Sequence, residues 1–559
     1  MVDSVTLEVV RNACVAVAEE MNATLVRTSY SPNIKDRRDC SCALFDSEGR
    51  MVSQAENIPV HLGAMPASVA AAVEAFPPGT LEPGDAVLLN DPFHGGAHLP
   101  DLTLVTPVFV DGELSAFTAN RAHHADIGGA HAGSVAADST EIYQEGLRIP
   151  PVKLFEGGDP NDDVTSLLLA NVRTPDERRG DLRAQHAANR TGARRFRELV
   201  GRHGADTMRE AMDEVLAYSE QRMRAELEAL PDGSYEFRDH LDDDGQGTTD
   251  LPIQVKVRVD GDSATVDFEG TAAQVRGAVN APKAVTASAT YYAVRCVTDP
   301  DIPPNAGAYR PITIEAPEGT IVNAQPPAAV VGGNLEVSQR VTDALIGAFA
   351  DHVPERAVAA AQGTMNSVTF GGTDHRDGSP FAFYETIGGG YGGRAASDGM
   401  DGVHAHMSNT LNTPAEVLET AYPLRVREYA LRPDSGGPGE HRGGLGLRRT
   451  ITARADGTTF SLLADRRRHG PYGIAGGESG APGEDSLADG ESHPIASKST
   501  HELDAGDTAT VHTPGGGGYG DPADRSDEAL ARDLRLGKVT PEHIRSAYGR
   551  DPTELPDGE

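Results

Sequence analysis

Apolar residues recur at helical intervals through the opening segment, where Leu7, Val10, Val15, Val17, Met21 and Leu25 predict an amphipathic helix over residues 5–26. The pattern then changes to short apolar runs broken by turn residues. CALFD and MVSQA flank Ser47-Glu48-Gly49-Arg50 and predict a hairpin. A Pro- and Ala-rich helix is predicted from Pro66 to about Phe76, and the chain is strand-rich from Gly84 to about Phe155. Helical patterning returns over 165–201 and 207–230. Alternation over 253–268 predicts a hairpin about Asp260-Gly261, and a further helix is predicted over 335–350. Glycine and short strands then dominate to about Pro522, and a helical pair covers 527–548. These elements predict an α+β fold with several antiparallel hairpins rather than a regular βαβ alternation. They suggest an N-terminal region over 1–230, a glycine-rich β region over 231–522 and a helical tail over 523–559. The stretch 476–497 has almost no large apolar residue and is predicted to be a surface loop.

Charge narrows the partners. Asp and Glu number 84 against 49 Lys and Arg, a formal net charge of -35 over 559 residues. Such a surface repels phosphate backbones, so nucleic acid is not an expected partner. Only Lys35, Lys153, Lys256, Lys283, Lys498 and Lys538 are lysines. Acidic excess with so little lysine resembles the cytoplasmic proteins of salt-in halophiles, where concentrated salt screens repulsion to about 3 Å at 1 M. No apolar run is long enough to span a membrane and no secretion signal opens the chain, so a cytoplasmic location is expected. Cys14, Cys40, Cys42 and Cys296 form no CxxC pair and suit a reducing compartment. Cys40 and Cys42 would share one face of a strand and pack in the core.

Two glycine motifs, Gly388-x-Gly390-x-x-Gly393 and Gly515-x-Gly517-x-x-Gly520, match the GxGxxG pattern, yet neither precedes a helical pattern. GxxxxGK[ST] is absent, so ATP, if used, is expected on a partner. The informative constellation lies between Asn90 and Asp126, where His-x-x-Asp occurs at His98/Asp101 and again at His123/Asp126. A two-residue turn at Asp111-Gly112 would set Asp101 opposite Ala122 and His98 opposite Ala125. Both segments would then meet at the open end of one hairpin, beside Asp91 and His94. Imidazoles and carboxylates gathered this way suit a divalent Mn, Fe or Zn ion. Candidate ligands are His123, Asp126, His98, Asp91 and His94, with His131 a weaker addition. Candidate catalytic groups are Asp101, His124 and Glu145. Any one of these histidines could instead cap a strand or turn. Arg37, in DRRDCSC, is either part of a surface ion-pair cluster or a substrate contact. Asn334 is either a helix cap or a substrate contact, with Arg340 on the first turns of that helix. The arginines of 165–201 read as a solvated helix face or an anion site.

SYSPNIKDRRDCSCALFDSEGRMVSQAENIPVHLGAMP, LLNDPFHGGAHLPDLTLVTPVF, RAHHADIGG, EIYQEGLRIPPVKLF, GDLRAQHAANRTG, GGNLEVSQRVTDAL, RGGLGLRR and TPGGGGYGDP together resemble the hydantoinase B/oxoprolinase family. They run from about residue 27 to 522. The resemblance implies a heteromeric, ATP-dependent hydrolase of hydantoins, 5-oxoproline or related lactams. A hydantoinase A-like ATPase would phosphorylate the cyclic amide oxygen, and this subunit would deliver water to the activated species with the help of a metal. In the related acetone-type carboxylases the metal site uses a His-x-x-Asp pattern, and the resemblance implies that in this sequence it falls on His123 and Asp126. A carboxylase subunit and a non-catalytic scaffold for the ATPase are the alternatives.

Overall fold

The computed structural model describes residues 2–55 and 57–556. Its first sheet contains β1 (Cys40–Asp46), β2 (Met51–Gln54), β3 (Ala86–Leu89), β4 (Asp101–Val110), β5 (Glu113–His123), β6 (Val152–Glu156) and β7 (Asp159–Pro160). The order is β2-β1-β5-β4-β3-β6-β7, antiparallel throughout. Both faces are covered, which explains why CSCALFD reads as one continuous buried run. Cys40, Cys42 and Leu44 pack with the helices Ser4–Thr28 and Pro175–His203, while Ala43 and Phe45 pack with the helix Pro59–Ala75. The cysteines are free and buried among apolar neighbours, so burial pushes the Cys40 and Cys42 thiols upward.

Two helices differ from expectation. The one predicted from Pro66 begins at Pro59, with Pro66 inside it. Either proline can occupy a first turn, and Pro59 takes that position. The patterning over 165–201 resolves into Asp162–Leu169 and Pro175–His203, separated just before a proline that restricts its predecessor.

A four-stranded sheet follows, from Gly233–Asp243, Thr249–Asp260, Ser263–Asp267 and Ile312–Glu315, the last pair parallel. Thr249–Asp260 alternates buried and open positions, and its inner face packs on the helix Ser338–Ala350. Two further sheets build the C-terminal part. Contrary to expectation, the stretch 476–497 contributes strands Glu484–Ala488 and Ser492–Pro494 to one of them. Backbone pairing with Thr508–His512, one buried Leu487 and an Asp485–Arg467 ion pair hold it without a large apolar content. The largest core joins Ile58, Val60 and Ala97 to Val255, Val285, Leu345 and Met407, so the start of the helix Pro59–Ala75 and the loop before β4 are packed into the rest.

The glycine motifs serve packing. Gly390 N donates to Pro514 O, Gly393 N to Gly517 O and Gly516 N to Gly444 O, bringing extended segments backbone to backbone. A Cβ on Gly392 would sit 1.8 Å from Ala359 O, and one on Gly516 2.1 Å from Tyr391 O. Any larger residue would part these segments.

Candidate metal centre

β4 and β5 are joined by Asp111-Gly112, both at positive φ, as a two-residue hairpin turn requires. Next to the turn the expected register holds: Val110 faces Glu113 and Phe109 faces Leu114. Ser115 is then extra, and beyond it Val108 faces Ala116. The bulge moves every later pair by one, so Asp101 lies opposite His123 rather than Ala122. A one-residue shift exchanges the two faces of a strand. Without the bulge, Asp101 and His123 would point to opposite sides.

His98 closes the loop before β4, and its Nε2 lies 3.1 Å from Asp101 Oδ1 and 3.2 Å from His123 Nδ1. His123 Nδ1 is 3.3 Å from the same carboxylate oxygen. His61, on the first turn of the helix Pro59–Ala75, brings Nε2 to 3.3 Å from that oxygen and 3.9 Å from Asp39. All of these side chains are buried. The Asp101 oxygens, His98 Nδ1 and His123 Nε2 have no aligned hydrogen-bond partner among the described residues. Burial pushes the Asp101 carboxyl up, but the neighbouring imidazoles outweigh it and hold it well below the usual carboxylate range. Burial pushes the His123 imidazole down. An ionised Asp101 and a His123 imidazole kept neutral by burial are the protonation states that metal ligands need. The ligand atoms of His98, Asp101 and His123 lie within 4.8 Å of one another. This donor set, with the unsatisfied Asp101 oxygens at its centre, fits a divalent first-row cation.

The second half of the chain closes the centre. Tyr384, on the strand Pro380–Glu385, stacks on His123 with centroids 4.4 Å apart. Arg37 is fully buried with its guanidinium 5.1 Å from the Tyr384 ring. It donates to Thr386 Oγ1 at 2.7 Å, Tyr384 O at 3.2 Å and Leu411 O at 3.3 Å, and also to Asn33. A cavity of about 20 Å³ lies between Asp39, His61, His123, Asn334, Tyr384 and Thr386. Beside it opens a cleft of about 270 Å³, walled by Asn57, Pro59, Asn409 and the stacked Tyr291 and Tyr309, and continuous in lining with an outer cleft of about 690 Å³. Asn57, Pro59 and Asn409 alternate along the chain with Ile58, Val60, Ser408 and Thr410 of the small cavity, so a thin wall separates the two.

The other candidate residues lie elsewhere. Asp126 turns its carboxylate to Arg173, accepting from its guanidinium and its backbone N–H at 2.8 Å each. Asp91 caps a short turn through Phe93 N and pairs with His94, which is largely exposed. His131 pairs with Asp138 near the surface. His124 is buried against Gln185, 3.0 Å away; burial, then Arg178, drives its pKa down to about 4. Glu145 is buried and accepts from Val330 N and Val331 N, with its pKa raised to about 8 by desolvation. Arg340 belongs to a buried ion-pair network with Asp465 at 2.6 Å and Asp239 at 3.5 Å. Asn334 does not cap: it sits inside a π-turn over Gly333–Val337, at the cavity wall, and its Oδ1 has no hydrogen-bond partner among the described residues. His61 and Tyr384 are not among the sequence candidates, and Asp39 enters there only through the ion-pair cluster of DRRDCSC. His61 stands within the AENIPVHLGAMP segment, a lone histidine between apolar residues; nothing local marks Tyr384.

Comparison with known proteins agrees with this architecture. The model of the family described as hydantoinase B/oxoprolinase matches residues 3–522. An uncharacterised protein of Methanocaldococcus jannaschii is 42% identical over 98% of this chain and 95% of its own length. 5-Oxoprolinase 1 of Arabidopsis thaliana is 38% identical over 93% of the chain, which spans only 42% of that larger protein. A Pseudomonas sp. (strain NS671) protein, named as a candidate component of a D-/L-hydantoinase, is 36% identical over 98% of this chain and 95% of its own. Among solved structures, the ATP-dependent caprolactamase of Pseudomonas jessenii superposes with a TM-score of 0.91 at 32% identity, covering 99% of this chain and 97% of its own. An acetone carboxylase chain shares the fold alone, with a TM-score of 0.90 at 20% identity, covering 98% of this chain and 79% of that one. With a family match across nearly its whole length and relatives above 30% identity, the chain belongs to the hydantoinase B/oxoprolinase family.

Proposed function

We propose that this chain is the hydrolytic subunit of an ATP-dependent cyclic-amide hydrolase, acting on a hydantoin, 5-oxoproline or related lactam. A hydantoinase A-like ATPase phosphorylates the carbonyl oxygen, and this subunit delivers water to the activated carbon. The observation that carries the reading is the convergence of His61, His98 and His123 on one oxygen of Asp101 in a buried pocket. A divalent cation held by His98, Asp101 and His123 supplies Lewis-acid polarisation and a nucleophile available near neutral pH. Tyr384, fixed by Arg37, holds the His123 ring in place. His61 stands at the cavity wall between Asp101 and Asp39, with Nδ1 3.4 Å from Ser41 Oγ, in reach of both carboxylates. Asn334 presents an unpartnered amide oxygen to the same space and can accept from a ring N–H of the substrate. Lack of a GxxxxGK[ST] loop supports ATP chemistry on the partner.

The test is co-expression with the ATPase and purification in concentrated KCl, which suits a charge of -35. Metal content and ATP-dependent turnover of 5-oxoproline, hydantoin, caprolactam and acetone are then measured. Expected are one divalent ion per chain and ring opening of a cyclic amide, abolished in His123→Ala while the complex still assembles. Turnover retained by His123→Ala supports the scaffold role instead, and turnover of acetone with bicarbonate the carboxylase role.

A further inference from the structure

The helix Pro175–His203 reverses the charge of the chain around it. It carries eight arginines against four carboxylates in a protein of net charge -35. Arg190, Arg194 and Arg197 lie about one turn apart along one side and project toward the same surface. That side borders a cleft of about 650 Å³, floored by Thr106 and Pro107 of β4 and bounded by Gly157 and Gly158 of the β6–β7 turn. Its volume falls in the range of small-molecule sites. Asp159 is the one carboxylate on the lining.

The second observation is His186. Its side chain lines the cleft, is only 8% exposed and stacks on Phe155 with centroids 3.7 Å apart. Neither ring nitrogen has a partner among the described residues. A neutral imidazole still carries one N–H to donate. Burial, then the charge of Arg190, keeps this one neutral, with a pKa near 4. Arg190 itself makes no hydrogen bond or ion pair to any described residue, whereas Arg194 is held by Glu198 and Arg197 by Phe109 O.

We propose that this cleft is a binding site for a small phosphate-bearing anion, held by Arg190, Arg194 and Arg197 with His186 donating from the floor. Guanidinium groups meet phosphate oxygens in paired hydrogen bonds, and several around one cleft suit a dianion better than a single carboxylate. The site is separate from the metal centre and does not depend on the cyclic-amide reading. Thr106 is five residues along β4 from Asp101.

Calorimetric titration of the full chain with inorganic phosphate and with pyrophosphate, at constant ionic strength in KCl, tests the site. One saturable site is expected. Arg190→Gln should weaken binding about tenfold, the loss of one charge-assisted contact. His186→Phe, which keeps the stack, should weaken it severalfold, while Arg179→Gln, outside the cleft, should not. The two titrants distinguish free phosphate from a longer phosphate chain. Binding unchanged in Arg190→Gln, or no heat beyond that of KCl, overturns the proposal. So does saturable binding of a polyglutamate peptide in place of either phosphate.

Discussion

Asp101 and His123 face each other across β4 and β5 because one residue, Ser115, is looped out between them and the turn. The two-residue turn alone would aim them to opposite faces. Deleting Ser115 removes the bulge while leaving every pair from Val108/Ala116 to Asp101/His123 in place. The shortened protein should therefore bind divalent metal with the same stoichiometry as the parent, measured by plasma emission after dialysis. Metal loss with an unchanged circular dichroism spectrum would show that the local twist of the bulge, and not the opposition alone, shapes the centre.

Asp101 is the residue on which the imidazoles depend. Asp101→Asn keeps the volume and removes the charge that three ring nitrogens approach within 3.3 Å. Changes to outer-shell partners of a metal commonly cost about 10–100-fold in affinity, and loss of this carboxylate should exceed that. Competition with a fluorescent zinc chelator measures it. An affinity within threefold of the parent, about experimental error on the scale where each 1.4 kcal/mol is tenfold, would move the centre elsewhere.

How much of this was legible follows from the reach of each interaction. The Asp111-Gly112 turn is local chemistry, so it could be read directly, and with it the approach of the two His-x-x-Asp segments at the open end of one hairpin. The bulge could not, because nothing in Glu113-Leu114-Ser115-Ala116 differs from an ordinary strand; β1 pairing on one side and β4 on the other impose it. Asp126 shared the His-x-x-Asp spacing of Asp101, but Arg173, forty-seven positions away, takes its carboxylate. His61 was hidden because a helix expected from Pro66 leaves it outside any element, whereas the helix begins at Pro59. Tyr384 and Arg37 meet only through tertiary folding, 347 positions apart.

Glu145 gives a pH signature apart from the metal. Its carboxyl is raised by burial to about 8, against 4.5 in the unfolded chain. Between those values the unfolded state releases a proton that the folded state keeps, so stability falls as pH rises from about 4.5 to 8 and is level above. At about 1.4 kcal/mol per unit the full change is a few kcal/mol. Glu145→Gln keeps an oxygen for the amides of Val330 and Val331 and removes the titration. Urea unfolding from pH 5 to 8.5 should show the variant gaining on the parent as pH rises. Parallel curves would mean that Glu145 is already ionised in the fold.

Gly392 tests the glycine packing. Its Cβ position is 1.8 Å from Ala359 O, a backbone atom that cannot swing aside as a side chain would. Gly392→Ala should lower stability by about 1–3 kcal/mol or more through overpacking, read as a lower urea midpoint. Gly201→Ala, with open space around its Cβ and a helical position, should be neutral or stabilising. Equal midpoints for the two variants would mean that the extended segments can separate freely.

Salt acts on different groups from all of these. The buried pairs, Arg340–Asp465 at 2.6 Å and Arg466–Asp343 at 3.0 Å, are shielded from solvent and change little with ionic strength. The excess of 35 negative charges is instead a property of the whole chain. Its repulsion reaches about 10 Å at 0.1 M salt and about 3 Å at 1 M. Raising KCl across that interval should raise the melting temperature, and the rise should continue above 1 M if carboxylates bind hydrated cations, as the scarcity of lysine suggests. A melting temperature independent of KCl over the same range would place the acidic surface among ordinary solubility features and remove the halophile reading.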